Sequence, residues 1–302
     1  MNYSIGVDIG GTNTVIAIIN ESGYIIEKTV ISTDLSITPK NMIHRINSYI
    51  KLVIKKSNLP RNKIKGIGIV SPGPLDSRQG YITNPPNLHG WIDVPVKQLI
   101  EKEFSYPVRL ENDANAATLA EKWIGAGQNT ENFIYITVST GIGSGIVINR
   151  KLLQGIHGNA GDIGHMVIDP SFGRCICGQY GCLESIASGS AIARHASKLM
   201  GKNLSTKDVF NLYKNKNSHI HLYLKHVLKL LGAACVTLIN TFDTEKIIIG
   251  GGVTNAGTLF FTPIRDYVQK YALNRNGSET KIIPAYFKNN ASVIGAAYLS
   301  FI

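Results

Sequence analysis

Between Gly161 and Glu184 the chain reads Gly-Asp-Ile-Gly-His165, then nine residues, then Cys175-Ile-Cys177-Gly-Gln-Tyr-Gly-Cys182-Leu-Glu184. Three of the four cysteines thus fall within eight positions beside a histidine. Soft sulfur and imidazole donors of this kind suit one tetrahedral Zn²⁺ bound by His165, Cys175, Cys177 and Cys182. Gly178 and Gly181 allow the tight turns that aim several thiolates at one centre. Buried small hydrophobes, or a disulfide pair in a Gly-rich loop, are the alternative reading of the same residues. The set leaves no open fourth position for substrate, so the metal is expected to be structural. It would hold Asp162, His165 and Glu184 near one another.

A second chemical signal is an internal echo. Ile5-Gly-Val-Asp8-Ile-Gly10-Gly11-Thr12 and Ile136-Thr-Val-Ser139-Thr140-Gly141-Ile-Gly143 both read as strand, Gly/Thr-tipped turn and strand. Glycine permits close backbone approach, so N–H groups and threonine hydroxyls at such tips can cradle phosphates. Either turn alone would be an ordinary hairpin; the pair, with Asp8 on the first, points to phosphate binding. Neither is a Walker loop or a dinucleotide fingerprint, since Gly-Lys-Ser/Thr is missing and no helix opens from the tip. Asp113 stands where the short strand Val108–Glu111 meets a helix. An acid there is either a helix cap or a general base aimed into a cleft, and the residues alone leave both open.

Elements with clear patterns must position these groups. Ile5–Ile19 and Tyr24–Ile31 read as three strands. Thr38-Pro39 starts a helix with apolar positions Ile43, Ile46, Ile50, Val53 and Ile54, stopped at Asn58-Leu59-Pro60. Ile64–Val70 is a buried strand ending in the turn Ser71-Pro72-Gly73-Pro74, followed by a rigid polar loop over 84–91. A helix is expected over Ala114–Trp123 and a strand-turn-strand unit over Phe133–Ile148. Helices follow over Ser185–Leu199 and Leu222–Phe242. Then come a strand Lys246–Ile249, the turn Gly250-Gly251-Gly252, a helix from about Leu259, a strand near Ile282 and a terminal apolar helix. The order of elements predicts an α/β protein.

The chain has 302 residues, 44% of them hydrophobic and 17% charged, a globular composition with room for two lobes. No apolar run approaches the roughly 18–20 residues of a membrane span. The first residues enter a strand pattern at once, without a basic segment or cleavage site, which predicts a cytoplasmic protein. Clustered cysteines suit a reducing compartment, and Cys235, alone in an apolar helical stretch, is expected to be buried. The net charge is +11. Its lysines are scattered over helix faces such as Lys51, Lys55 and Lys56, with no arginine-rich block or interleaved aromatics, so neither a nucleic-acid nor a membrane partner is expected.

With these segments in order, the chain resembles the ROK sugar kinases along nearly its whole length. The resemblance is carried by Asp8-Ile-Gly-Gly-Thr-Asn13, Ser71-Pro-Gly73, Pro86-Asn87-Leu-His-Gly-Trp91, Glu111-Asn-Asp-Ala-Asn-Ala116, Thr140-Gly-Ile-Gly143, the His165/Cys175/Cys177/Cys182 cluster and Gly250-Gly-Gly252. It implies an actin-like ATPase (ribonuclease H-like) fold with two lobes around a nucleotide and sugar cleft. The small N-terminal lobe would span 1–112 and be completed by a C-terminal helix over 289–302; the large lobe would span 113–288. The implied reaction is ATP-dependent phosphorylation of a hexose hydroxyl, glucose first, with Asp113 as general base. Asp8 would help to hold Mg²⁺. Gly10, Gly11, Thr12, Asn13, Thr140 and Gly141 would meet the phosphates, and Gly251 and Gly252 the adenosine side. Gly73, Asn87, Asn112, Asp113, Asp162, His165 and Glu184 would meet the sugar. His165 would serve twice, one ring nitrogen on zinc and the other on the sugar. A homodimer or homotetramer is implied as well.

Some positions depart from the family pattern. Asp162 stands where glutamate is usual, one methylene longer. Ser139 and Ser144 stand where glycine is frequent, Asn13 where lysine is, and Thr244 where proline is common. Competing expectations are an N-acetylmannosamine or N-acetylglucosamine kinase, polyphosphate as donor, a non-catalytic sugar-sensing regulator, and a catalytically dead sugar binder. Regulators of the family carry an N-terminal helix-turn-helix domain, for which a phosphate strand beginning at Tyr3 leaves no room.

Overall fold

The two Gly-tipped hairpins are the leading strands of two separate five-stranded sheets. The protein, seen here as a computed structural model, is described over residues 1–156, 158–273, 279–288 and 290–302. It divides into two compact units. The first comprises Met1–Gln128, Gln154–Ala160 and Asn289–Ile302, and the second comprises Asn129–Leu153 and Gly161–Lys288.

Unit 1 begins with β1 (Tyr3–Ile9), β2 (Asn13–Asn20) and β3 (Ile25–Ser32), then α1 (Pro39–Ser57), β4 (Ile64–Ser71), the small hairpin β5 (Leu75–Asp76) and β6 (Tyr81–Ile82), α2 (Val96–Glu101), β7 (Val108–Asn112) and α3 (Asp113–Ile124). Its sheet order is β3-β2-β1-β4-β7, with β1, β4 and β7 parallel and the β1-β2-β3 meander antiparallel. The inner strands β1 and β4 are near-continuous apolar runs because both faces are covered, whereas in edge strand β3 every second residue, Ile26, Lys28, Val30 and Ser32, is exposed. The start and stop of α1 follow the expected signals: Thr38 Oγ1 accepts from Asn41 N (3.3 Å), Pro39 opens the helix, and Asn58 ends it in the left-handed conformation (φ 52°).

The C-terminal helix (Ala291–Tyr298) closes this unit; residue 289, where it was expected to begin, lies outside the described residues. It seats on the sheet where side chains are missing. A Cβ on Gly6 or Gly68 would collide with the carbonyl oxygens of Val293 and Ala296, and a Cβ on Gly295 with that of Ala116. The helix also packs on α3, with Trp123 stacked on Tyr298 at 4.8 Å between ring centroids. This packing keeps α3 in unit 1. The break expected after Asn112 therefore falls after Gln128, and the segment Gln154–Ala160 belongs to unit 1 as well.

Unit 2 contains β8 (Phe133–Val138), β9 (Ile142–Ile148), β10 (Lys151–Leu152), α4 (Leu183–Ala187), α5 (Gly189–Met200), α6 (Thr206–Lys214), α7 (Ser218–Phe242), β11 (Lys246–Gly250), α8 (Thr258–Tyr271) and β12 (Lys281–Pro284). Its sheet order is β10-β9-β8-β11-β12, again an antiparallel meander with two parallel strands beyond its first strand. The single helix expected over Ser185–Leu199 is two helices, because Ser188 leaves helical geometry (ψ 157°) and caps α5 by accepting from Ala191 N (3.2 Å). By length and composition α7 is long and apolar enough to cross a membrane, which corrects the expectation that no such segment exists. Lys225 and Lys229 had interrupted the apolar run. Ile220, Leu224, Val227, Leu228 and Leu231 of this helix lie in the core of unit 2, where α7 packs against α8.

Candidate active site and metal centre

In unit 1 the parallel strands β1, β4 and β7 end together: Asp8 pairs with Val70, and Ser71 pairs with Asn112. The carboxyl ends of parallel strands are where open α/β sheets bind ligands. Asn112, at the end of β7, is the cap of α3; its Oδ1 accepts from Ala114 N (2.9 Å) and Asn115 N (3.3 Å). Asp113 is therefore the first residue inside the helix, and its Oδ1 accepts from Ala114 N at 2.8 Å. Burial pushes its carboxyl up to about 6 against the lowering effect of backbone N–H groups. Asp8 is pushed up to about 7, first by burial and then by the Asp113 charge, with the Ser292 hydroxyl opposing. Burial is thus the main cause of both shifts, and the Asp113 charge adds to that of Asp8. Among the described residues neither has an ion-pair partner.

The tip between β1 and β2 is closed by Gly10 N donating to Asn13 O (3.0 Å), and Thr12 O accepts from Thr33 N (2.9 Å). Thr12 and Asn13 are exposed. A Cβ on Gly11 would stand 2.5 Å from the carbonyl oxygen of Asn87, so this turn lies directly on the loop that carries Asn87. Gly73 lies beside the Asn112 amide, whose Nδ2 would be 3.4 Å from a Cβ there. Asp8, the first turn, Gly73, Asn87, Asn112 and Asp113 are thus one neighbourhood.

One residue of this neighbourhood carried no role in the sequence reading. Glu111 is 2% exposed, and its carboxylate accepts from Asn112 N (2.8 Å), Asn115 Nδ2 (3.0 Å) and Gln154 Nε2 (2.7 Å). It braces the cap residue next to Asp113 and ties the excursion Gln154–Ala160 to β7. The only signal in the sequence was an acid inside a buried strand, which requires partners that a linear reading does not supply.

In unit 2 the tip between β8 and β9 carries Thr140 and Gly141. The Glu184 carboxylate lies against it, with Oε2 accepting from Ile142 N at 2.9 Å. Gly251 follows β11 with φ 89°, and a Cβ there would run into the carbonyl oxygen of Val138, so the strand end requires glycine. Gly252 is beside Ser139. Asp162 precedes the short 3₁₀ turn Ile163–His165; it is exposed and its side chain makes no cap bond. Ser144, one of the departures from glycine, donates its hydroxyl to Gly161 O. Thr244, another, bonds its hydroxyl to the carbonyls of Asn132 and Lys246, both at 3.0 Å.

The four candidate metal ligands converge. The donor atoms of His165, Cys175, Cys177 and Cys182 all lie within 4.8 Å of one another, with Cys175 Sγ 3.6 Å from His165 Nδ1 and Cys177 Sγ 3.6 Å from Cys182 Sγ. Tetrahedral zinc sets neighbouring donors about 3.3–3.8 Å apart. A disulfide needs sulfurs at about 2.05 Å, and all four cysteines are free. The donor set fits zinc. Gly178 and Gly181 take positive φ (94° and 73°) in the loop that gathers it. The Gln179 N–H lowers the Cys177 thiol, while burial raises that of Cys182. Nδ1 of His165 faces the sulfurs, so Nε2 is the ring nitrogen outside the cluster.

A groove of about 520 Å³ beside α1, lined by Pro39, His44, Asn47, Ile92 and Leu99 among others, includes none of the predicted site residues.

The ROK family profile matches residues 4–301. A glucokinase from Halalkalibacterium halodurans is 36% identical over 98% of this chain and 94% of its own length. The xylose repressor of Bacillus subtilis is 30% identical over 97% of this chain and 75% of its own length. Among solved structures, the ROK hexokinase from Thermus thermophilus superposes with a TM-score of 0.87 at 30% identity and covers 99% of both chains. A ROK family glucokinase from Streptomyces griseus in complex with glucose and AMPPNP gives 0.81 at 29% identity, again with 99% of both covered. The fold is the actin-like ATPase fold.

Proposed function

The chain belongs to the ROK family, and we propose that it transfers the γ-phosphoryl group of ATP to a hydroxyl of a hexose, glucose before others. A glucokinase at 36% identity and a related glucokinase bound to glucose and an ATP analogue support the reading. The observation that carries it is Asp113: a half-buried carboxylate at the end of β7, relieved of capping by Asn112 and raised toward neutrality by burial.

Phosphoryl transfer asks a protein for position and charge neutralisation more than for covalent chemistry. Asp113 accepts the proton of the attacking sugar hydroxyl, a task favoured by a carboxyl that titrates near the working pH. Its oxygen not bonded to Ala114 N is the one for the hydroxyl. Asp8 and Asp113 repel one another, and a cation beside Asp8 would relieve that cost. Mg²⁺ fits there, held largely through water, and it would neutralise charge on the donor phosphates. Gly10, Gly11, Thr12 and Asn13 on one turn, and Thr140 and Gly141 on the other, offer backbone N–H groups and hydroxyls to the phosphates. Gly251 and Gly252 border the adenosine. Sugar hydroxyls are assigned to Gly73, Asn87, Asn112, Asp162, His165 and Glu184. Zinc, held by His165, Cys175, Cys177 and Cys182, would act structurally, orienting the imidazole so that Nε2 serves the sugar. The same family reading makes the protein a cytoplasmic homodimer or homotetramer.

ADP release from Mg-ATP with glucose, mannose, N-acetylglucosamine, N-acetylmannosamine, fructose and allose tests the proposal. Turnover with glucose strongly preferred is the expected result, and preference for an N-acetylated sugar would rename the substrate. Sugar binding without turnover would favour a regulator, and silence in folded, zinc-loaded protein would overturn the kinase reading.

A further inference from the structure

Glu184 is half-buried in the first turn of α4, two residues after the zinc ligand Cys182. Its Oε2 accepts from Ile142 N at 2.9 Å, and a Cβ on Gly141 would lie only 2.5 Å from that same oxygen. The carboxylate therefore rests flush on the second Gly-rich turn, and the missing side chain at position 141 is what lets it. The following residues grip the other side of the turn: Gly189 N donates to Ser139 O (2.7 Å), and the Ser190 hydroxyl donates to Thr140 O. The start of α4 is in turn tied to the metal loop. Ser185 Oγ donates to Cys182 O (2.7 Å), and Leu183 N donates to Met166 O (2.9 Å), next to His165. A continuous run of bonds thus leads from the zinc ligands through α4 to the turn.

A carboxylate this close to a phosphate turn is an electrostatic penalty for an anionic ligand unless it shapes the turn. We propose that Glu184 is a positioning residue for the phosphate donor, holding the Ser139–Ile142 turn through Oε2, and that zinc occupancy governs nucleotide affinity through it. The inference rests on the proposed role of this turn in phosphate binding. Oε1 is left for a sugar hydroxyl, so one side chain adjusts both substrates.

The test compares wild type with Glu184→Ala, Glu184→Gln and Glu184→Asp in zinc-loaded and zinc-stripped protein, reading AMPPNP affinity by calorimetry alongside sugar KM, kcat and thermal midpoint. Glutamine retains an acceptor for Ile142 N without the charge. Alanine removes the acceptor, and aspartate keeps the charge but draws it back by one methylene. AMPPNP affinity should fall about tenfold in Glu184→Ala and Glu184→Asp, the scale of a lost charge-assisted bond, and by less than about twofold in Glu184→Gln. Sugar KM should rise in all three. Stripping zinc should weaken AMPPNP binding to wild type and add nothing in Glu184→Ala. If Glu184→Ala does not fold, Glu184→Asp against Glu184→Gln decides. Equal AMPPNP affinity in wild type and the variants overturns the inference alone, as does an equal loss in the glutamine and aspartate variants. Wild type that binds no AMPPNP removes the phosphate role of the turn, and this inference with it.

Discussion

The two units share one sheet plan and differ in how they use it. Each has an antiparallel meander whose first strand also pairs with a parallel strand and, beyond it, another, in the orders β3-β2-β1-β4-β7 and β10-β9-β8-β11-β12. Each leading hairpin carries glycine and threonine at its tip. In unit 1 the last β1 residue to pair with its parallel neighbour β4 is Asp8, raised by burial and by the Asp113 charge, and the tip leans on the backbone of Asn87. At the corresponding register in unit 2, the last β8 residue to pair with its parallel neighbour β11, stands Thr137, and the tip is held by a side chain, Glu184, next to the His/Cys loop. The repeated topology supplies a glycine-tipped hairpin twice, while the two acids with raised carboxyls belong to one unit and the His/Cys cluster to the other. A fold can thus duplicate geometry and still divide chemistry.

Substitutions in one unit at a time sharpen that contrast. Asp113→Asn should lower kcat by about 10²- to 10⁴-fold, the usual worth of a general base, while calorimetry finds sugar binding largely intact. Turnover within tenfold of wild type would remove the chemistry from unit 1. Cys177→Ala should weaken zinc binding by at least the roughly 10–100-fold that outer-shell changes cost, lowering the thermal midpoint and sugar affinity together. Full zinc stoichiometry in that variant would dismiss the metal centre. Asp162→Glu, which restores the longer side chain usual in the family, should raise kcat/KM for glucose by about tenfold, and an unchanged value would mean that the exposed Asp162 already reaches its target.

The smallest effect concerns pH. Asp8 is raised from 3.8 to about 7, so the folded state binds its proton more tightly than the unfolded chain does. Stability from this group is fully present below about pH 4 and is lost as pH rises through 7. Asp8→Asn should therefore raise the thermal midpoint of ion-free protein by about 2–4 °C at pH 8, with the gain shrinking toward pH 4. A gain that grows at low pH would contradict the raised carboxyl.

Much of the scaffold could be read from local signals. Thr38-Pro39 and Asn58 delimit α1 because capping acts within a turn of the chain, and the echo of the two hairpins anticipated two similar sheets. The break at Ser188 escaped, since apolar periodicity runs through it while the cap bond depends on one hydroxyl. So did α6, a nine-residue helix after the Ser205–Asp208 capping box whose apolar positions Val209, Phe210 and Tyr213 make a stripe of barely two turns, too short to stand out as a period. At the site, whether Asp113 capped its helix stayed open because Asn112 and Asp113 are both good cap residues; only the bonds of Asn112 separate them. The Glu184–Ile142 bond spans 42 positions and leaves no trace in either local pattern. The convergence of His165, Cys175, Cys177 and Cys182 was legible because a metal-ligand pattern restricts residue types and spacing even where the fold does not.

The glycine seat under the C-terminal helix bears on the order in which the protein can be finished at the ribosome. Strands β1 and β4 precede unit 2 with Gly6 and Gly68 shaped for a helix that follows it, so unit 2 is complete in the chain before that helix appears. The first strands made are among the last to be covered, so the nascent chain must keep a bare, glycine-lined sheet face available throughout the synthesis of unit 2.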